Sequence, residues 1–378
     1  MKKVLTFILV SFLLISCGNQ SDQDSEENSY KKLFIDIDNI KSNYSFHSDN
    51  YELIPLELND QSLIGAIDKL IHYQNRIFIL DTDITKSIFC FSEVGEFLYK
   101  INSVGEGVGE FVKPFDVYLF NEEIQVLDAN QRKTIVFDMK GGFKRETRLP
   151  FEDQIMRLYP IDNDCIAYHL DGRSHGSGSL ELIKVFNKEF NSFTAKGVVE
   201  TGNTDAYKSP IEFSENSGVV RFLHPWTDTI YNISKNKINT DYVLDFGPDR
   251  LKKETKQLFL TEMREYFMKN PYVFNAGNLV ETNDYLSFQW VRSKQGYEIS
   301  EDETFVSYFN KTSGELTNFP ILGNWKNGTS LNGPVFGSEA YFFGFITYGD
   351  WLKLSDSGPR KRFTDEGNPI IVKYEIDI

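Results

Sequence analysis

Cysteine is scarce in this sequence: 378 residues contain only Cys17, Cys90 and Cys165. Their wide spacing matches no cysteine-based zinc motif, and one possible bridge between distant positions is not a disulfide framework. Cys90 and Cys165 each lie in an apolar, strand-like stretch, so we expect both to be small buried side chains. The scarcity therefore excludes a cysteine metal cluster and a scaffold held together by disulfides.

Positive charge is also in deficit. The chain has 40 Lys and Arg against 55 Asp and Glu, which gives a formal net charge of -15 at pH 7. Nucleic-acid binding depends on basic side chains that neutralise phosphates, and no basic stripe offsets this acidity. Nucleic acid is therefore excluded as a partner.

Recognisable catalytic and ligand motifs are missing as well. The five histidines show no ligand spacing, and no calcium-loop pattern is present, so we predict no cofactor and no metal ligands. The glycine-rich stretch Gly105–Glu110 lacks the Lys-Ser/Thr of a phosphate loop and leads into a strand rather than a helix. Gly172–Gly176 matches Gly-x-Ser-x-Gly, but strands flank it on both sides, which indicates a hairpin tip and not a hydrolase nucleophile.

The first residues form a targeting segment. Lys2 and Lys3 precede an apolar run, Val4–Ile15, that is too short to span a membrane. Leu14–Cys17 resembles a bacterial lipobox, which implies cleavage before Cys17 and a lipid on its sulfur. We therefore assign residues 1–16 to a lipoprotein signal peptide and residues 17–29 to a flexible acidic tether.

The location of the mature protein follows from that segment. Acyl chains on Cys17 would anchor the protein to a membrane without a transmembrane helix. The acidic run after Cys17 resembles the surface-export signal of Bacteroidetes lipoproteins, and a plain solvated spacer is an equal alternative. We predict an outer-membrane lipoprotein on the periplasmic face or the cell surface.

The chain is rich in 32 Phe and 19 Tyr but has only 5 Met, which favours strands over helices. Two segments between residues 77 and 143 repeat each other with alternating apolar residues. The matching positions, 46 residues apart, are Phe89 with Ile135, Phe91 with Phe137, Gly95 with Gly141, and Phe97 with Phe143. A period in the forties with two-residue alternation is typical of propeller blades.

The rest of the mature chain extends the repeat. We predict an all-β domain over residues 30–378: a six-bladed β-propeller with four antiparallel strands in each blade. The sixth blade lacks one strand, and the segment Tyr51–Leu58 supplies it, with Pro55 at an outer edge where its missing N–H costs nothing. Between blades four and five, residues 249–270 have helical spacing, and Asp249 is the predicted cap.

Several short motifs resemble the six-bladed β-propeller lipoproteins of Bacteroidetes. They are IPLE at 54–57, LIGAI at 63–67, GEGVGEFVKP at 105–114, DTIYNI at 228–233, YVLDFG at 242–247 and NPIIV at 368–372. The Gly-Glu-Phe and Pro of the third motif also resemble the NHL-repeat propellers. The resemblance spans the mature chain and implies the fold. It implies no activity, because a propeller hosts many functions.

A candidate binding face follows from the loop lengths. In a propeller, the turns between second and third strands share a face with the links between blades, and long loops on a rigid face are where binding sites form. Aromatic rings with a few charged groups suit sugars or peptide side chains. For Trp290, core packing is an equal alternative. The predicted ligand-binding residues are Arg173, His175, His224, Trp226, Trp290, Arg292 and Trp351.

Three functions remain open on the sequence alone. The first is a binding module, without catalytic residues, whose partner is a glycan, a peptide or an envelope protein. The second is a metal-dependent hydrolase or lyase with its site in the central tunnel. The third is a structural subunit of an envelope assembly. Side chains that converge at the tunnel would favour the second.

The lipobox generates the first testable prediction. Cys17→Ser should abolish labelling of the protein by radioactive palmitate and release it from the membrane fraction, because the sulfur that carries the lipid is gone. If the variant stays in the membrane fraction after a carbonate wash, another feature anchors the protein.

Overall fold

The computed structural model describes residues 30–41, 51–149, 152–170, 180–200, 209, 211–252, 254–255, 260–294, 302–321, 324–325, 329–330, 332–349 and 367–376. These residues form six blades in a ring, each with four antiparallel strands, and one short helix. The predicted six-bladed propeller is therefore confirmed.

Each blade runs from an inner to an outer strand. Blade one contains β3 (Lys69–Tyr73), β4 (Arg76–Asp81), β5 (Ser87–Ser92) and β6 (Phe97–Ile101). Blade two contains β7 (Asp116–Phe120), β8 (Glu123–Asp128), β9 (Lys133–Asp138) and β10 (Phe143–Arg148). Blade three contains β11 (Ile155–Pro160), β12 (Cys165–Leu170), β13 (Leu180–Asn187) and β14 (Ser192–Glu200).

The second half repeats this plan. Blade four contains β15 (Phe213–Asn216), β16 (Val219–Phe222), β17 (Thr229–Ile233) and β18 (Ile238–Asp245). Blade five contains β19 (Tyr272–Glu281), β20 (Tyr285–Ser293), β21 (Glu303–Asn310) and β22 (Leu316–Pro320). A two-stranded ribbon, β23 (Asn324–Trp325) with β24 (Thr329–Ser330), leads to blade six, which contains β25 (Asn332–Ser338), β26 (Tyr341–Ile346), β27 (Ile370–Tyr374) and β2 (Tyr51–Pro55).

The blades are held together by apolar clusters between them. Six clusters each join two neighbouring blades, including one between blades six and one. Middle strands are buried on both faces, as in β4, whereas the outer strand β10 is exposed along most of its length. Cys90 and Cys165 are fully buried in two of these clusters, as expected. The blades pack face to face around the whole ring.

The N-terminal segment runs along the outer edges of three blades. Strand β1 (Lys31–Phe34) pairs in parallel with β18. It thereby adds a fifth strand to blade four, which the sequence did not reveal. A bridge from Ile40 to Asn318 then reaches blade five. Strand β2 pairs with β27 on the outer edge of blade six, with Pro55 at that edge, as predicted. We call residues 30–41 and 51–57 the outer belt.

The predicted helix is shorter than expected. The structure has a 3-10 turn at Gly247–Asp249 and the helix α1 at Leu260–Lys269, so Asp249 does not cap the helix. Arg250 instead forms a β-bridge with Val273, and the N–H of Leu251 donates to the carbonyl of Val273 at 2.8 Å. No helix in the described part of the chain has the length and apolar content needed to cross a membrane.

The outer belt generates a stability prediction. Ile54 and Leu56 are buried, and burying such a side chain contributes about 1.5–3 kcal/mol. A chain that begins at Asp60 should therefore melt far below one that begins at Tyr30, or aggregate through the exposed edge of β27. A chain that begins at Tyr51 keeps β2 and should fall between the two. Circular dichroism melts check the order, and equal melting temperatures would contradict the closure.

Candidate functional site

A central cavity lies on the axis of the propeller. Its volume is about 710 Å³, and all six blades contribute to its wall. The inner strands supply most of that wall, and one end is lined by turns between first and second strands, such as Asn216–Gly218. Because those turns lie on the face opposite to the links between blades, this end of the cavity lies on the face opposite to the predicted site.

The wall of the cavity combines aromatic and polar groups. Its Phe and Tyr residues come from five blades: Tyr73, Tyr118, Phe120, Tyr159, Phe213 and Phe336. Asn121, Asn216 and Asn283 lie at the turn end. The charged residues that line it are Lys69, Glu215 and Glu339, and Lys69 is paired at 2.7 Å with the buried Asp116. Among the described residues, the charged groups at the turn end that form no ion pair are therefore acidic.

A second candidate site lies between blades three and four. Glu212 is buried directly before β15, and its two carboxylate oxygens face two buried imidazoles. Oε2 lies 2.6 Å from Nδ1 of His169, and Oε1 lies 2.8 Å from Nδ1 of His224. The two imidazole rings meet edge to face, with centroids 5.1 Å apart. We call these three residues the His–Glu–His cluster.

The fold places the cluster at one end of the strands. His169 is the penultimate residue of β12, and His224 follows the end of β16. The turn after His224 is held by Asn275 of β19, whose side-chain NH₂ donates to the carbonyls of His224 (2.7 Å) and Thr227 (2.6 Å). Within that turn Trp226 has φ 72, an uncommon value for a bulky residue, and its N–H donates to the carbonyl of Asn275. The position of His224 is therefore fixed by several bonds.

The protonation states in the cluster follow from burial and charge. Burial alone would raise the pKa of the Glu212 carboxyl, but the two imidazoles outweigh it and hold that pKa below its ordinary value. Burial lowers the pKa of His169 and outweighs the opposite effect of the Glu212 carboxylate, and the positive charge of Arg157 acts in the same direction as burial. The ionised form of Glu212 is therefore the favoured one at neutral pH.

The structure buries Trp226, which the sequence predicted as a ligand-binding residue. Trp226 lies in a turn with Pro225 and is only 4% exposed. It packs among Leu251, Phe267 of α1 and Phe274 of β19, so the helix covers the turn. Trp226 is therefore a core residue and cannot contact a ligand in this conformation.

The other residues predicted to bind a ligand lie in different environments. Trp290 is fully buried, and its indole N–H donates to the Ser307 hydroxyl at 2.9 Å, so the alternative of core packing holds for it. Arg292 binds Glu303 and the carbonyl of Ile37 in the outer belt, which gives it a structural role. His224 belongs to the His–Glu–His cluster. Cys17, Arg173, His175 and Trp351 lie outside the described residues.

His169 and Glu212 were not among the residues predicted from the sequence. They come from different blades and lie 43 residues apart, so no local spacing reveals the cluster. One signal was available: two of the five histidines fall at the ends of second strands in consecutive blades. Aligning those blades would have placed the two histidines at the same end of neighbouring sheets.

The burial of Trp226 generates a prediction. Trp226→Ala should lower the free energy of unfolding by about 3–5 kcal/mol, because it leaves a cavity between α1 and blade five. Phe190→Ala is the matched control, since Phe190 is 64% exposed and its loss should change stability by less than about 0.5 kcal/mol. Urea denaturation measures both, and a Trp226 variant as stable as the control would contradict the core position.

Comparison with known proteins agrees with the fold. One solved structure is a protein of Bacteroides fragilis NCTC 9343 that is thought to be exported, with TM-score 0.68 and 16% identity over 92% of this chain and 99% of that chain. Another is a member of the duf4221 family from Bacteroides vulgatus, with TM-score 0.52 and 11% identity over 89% of this chain and 99% of that chain. No curated protein matches the sequence. A family profile matches residues 33–375, which is nearly the whole propeller, and the chain therefore belongs to the family described as Domain of unknown function (DUF4934).

Proposed function

We propose that this protein is a lipid-anchored binding protein of the cell envelope, attached through Cys17 and holding its ligand in the central cavity. The observation that carries the proposal is the cavity of about 710 Å³ on the axis of the ring. Ligand pockets commonly have volumes of about 300–1,000 Å³ and combine apolar walls with a few polar groups. The cavity has a volume in this range, and aromatic and polar side chains share its wall.

Attachment at the envelope is supported by the N-terminal sequence. Two lysines, a short apolar run and Cys17 follow one another in the order of a lipoprotein signal. The structural likeness to a Bacteroides protein that is thought to be exported agrees with this placement. The acidic residues after Cys17 favour the outer membrane, on its periplasmic face or at the cell surface.

The rigidity of the wall supports binding. Inner strands contact each other in five of the six pairs of neighbouring blades, and the apolar clusters fix each blade against the next. A wall on such strands holds its side chains in place before a ligand arrives, so less conformational entropy is lost on binding. The cavity is thus a preformed site.

The charges of the cavity favour a neutral or cationic ligand. Glu215 and Glu339 are exposed near the turn end, whereas the cationic Lys69 is already paired with Asp116. The formal net charge of -15 disfavours anionic ligands at longer range. Aromatic faces next to asparagine amides suit sugars and peptides, so we propose a neutral glycan or a short peptide as the ligand.

The face that carries the links between blades, where the sequence predicted the binding site, is a second candidate for ligand contact. Of the residues predicted there, Trp226 and Trp290 are buried, and Arg292 is engaged by the outer belt. Arg173, His175 and Trp351 lie outside the described residues. A ligand long enough to reach along the axis would contact the face with the links between blades. The cavity itself is lined by turns of the opposite face, those between first and second strands.

Blocking one end of the tunnel tests the proposal. Ser217→Cys places a thiol at the turn end of the cavity, and Val108→Cys places a matched thiol in a link on the opposite face. The native Cys90 and Cys165 are buried, so a bulky maleimide should react only at the introduced site. Native mass spectrometry of protein extracted from membranes identifies a bound molecule, and calorimetry with neutral oligosaccharides and short peptides measures affinity.

The two labelled variants should behave differently. Labelling at position 217 should weaken binding by at least about tenfold, and labelling at position 108 should leave it unchanged. Equal effects at both positions would move the site away from the turn end. A wild-type protein that carries no bound molecule and binds neither class would overturn the proposed function.

A further inference from the structure

The His–Glu–His cluster has the composition of a metal site. His169, Glu212 and His224 are all buried, and each offers one ligand atom within 4.8 Å of the other two. Two imidazoles and one carboxylate form a ligand set typical of zinc and of other divalent first-row ions. Calcium and magnesium prefer sites made of oxygen ligands, so this set disfavours them.

Two buried nitrogens of the cluster have no hydrogen bond among the described residues. His224 is only 7% exposed, and its Nε2 is buried with no hydrogen-bond partner among the described residues. Nδ1 of His169 lies 2.6 Å from Glu212 but makes no hydrogen bond of acceptable geometry. Buried polar atoms without a partner are destabilising and rare, and each one calls for an explanation. A metal ion that coordinates an imidazole nitrogen removes this deficit.

The surroundings hold the three residues in place. His169 lies within β12, and Glu212 precedes β15 with its main-chain carbonyl bound to the N–H of Leu223 at 2.9 Å. Asn275, on β19 of blade five, fixes the turn after His224. Arg157 acts on His169 electrostatically, but one of its NH₂ groups donates to the carbonyls of Phe115 and Met156. A site built on strand ends of two blades is preorganised for a small ion.

We propose that His169, Glu212 and His224 bind one divalent transition-metal ion, with Zn²⁺ the best match to the ligand set. Three protein ligands leave at least one coordination position open for water or a ligand atom, as in zinc sites that activate water. The proposal is independent of the cavity: a metal at this cluster neither requires nor excludes a glycan or peptide there.

The test uses the mature lipidated chain, extracted in detergent and dialysed against EDTA. Calorimetry with Zn²⁺ and a competing chelator measures stoichiometry and affinity, and the absorption spectrum after addition of Co²⁺ reports the ligands directly. The wild type should bind one equivalent of Zn²⁺, and its Co²⁺ form should show the intense visible bands of a four- or five-coordinate ion. Because this spectrum is recorded on the unaltered protein, it does not depend on the folding of any variant.

Variants then assign the ligands. Glu212→Gln and His224→Gln should each weaken Zn²⁺ binding by at least about 100-fold, since each removes one of three ligands. His72→Gln is the matched control: His72 lies on the inner strand of blade one and stacks on Phe343, and its loss should leave Zn²⁺ affinity unchanged. Circular dichroism confirms that each variant is folded.

Two results would overturn the proposal. One is a wild type that takes up no Zn²⁺ and gives the pale spectrum of hydrated Co²⁺, which would make the cluster a carboxylate that shares protons with two imidazoles. The other is a loss of Zn²⁺ affinity in the His72 variant as large as in the cluster variants, which would indicate uptake at scattered histidines.

Discussion

Closure of the ring is the constraint on which the rest of the structure depends. Each blade covers the faces of two neighbours, so an open ring would expose an apolar sheet face at both ends. The outer belt prevents this: β2 completes blade six, and the N–H of Glu57 donates to the carbonyl of Gly95 in blade one at 2.8 Å. Gly95 has φ +88, and a Cβ there would lie 2.2 Å from the carbonyl oxygen of Pro55, so only glycine fits the contact. The cavity and the His–Glu–His cluster both exist because the blades are held in this register.

The fold was predictable because the repeat has a physical cause that recurs in each copy. Asp81 and Asp128 occupy equivalent positions in the first two blades, and both are buried. Asp81 accepts bonds from the N–H groups of Gly65 and Ala66, and Asp128 accepts one from the N–H of Val112. Each carboxylate thus binds the link that enters its own blade. The helix boundary was not predictable in the same way, because Leu251 has helical spacing yet is buried while its backbone pairs with β19.

The candidate sites were much harder to predict than the fold. The sequence around Trp226 indicates a turn. The burial of Trp226 depends on α1, which folds back over the turn and lies about 40 positions further along the chain. Likewise the two histidines and Glu212 meet only when blades three and four pack together. Alternation within a strand determines which face a side chain occupies, and it does not determine which side chain of the next blade lies opposite. Sites that span two blades therefore remain hidden until the blades are assembled.

The parallel pairing of β1 with β18 has a consequence for orientation. Lys31 pairs with Tyr242, near the middle of β18, the fourth strand of blade four, so the chain joins the propeller at its rim. The twelve residues between Cys17 and Tyr30 can span at most about 40 Å when fully extended. If Cys17 carries lipid, the tether joins the propeller at its rim, and the axis of the ring can lie parallel to the bilayer. The turn end of the cavity would then face along the membrane surface, open to molecules that diffuse beside it.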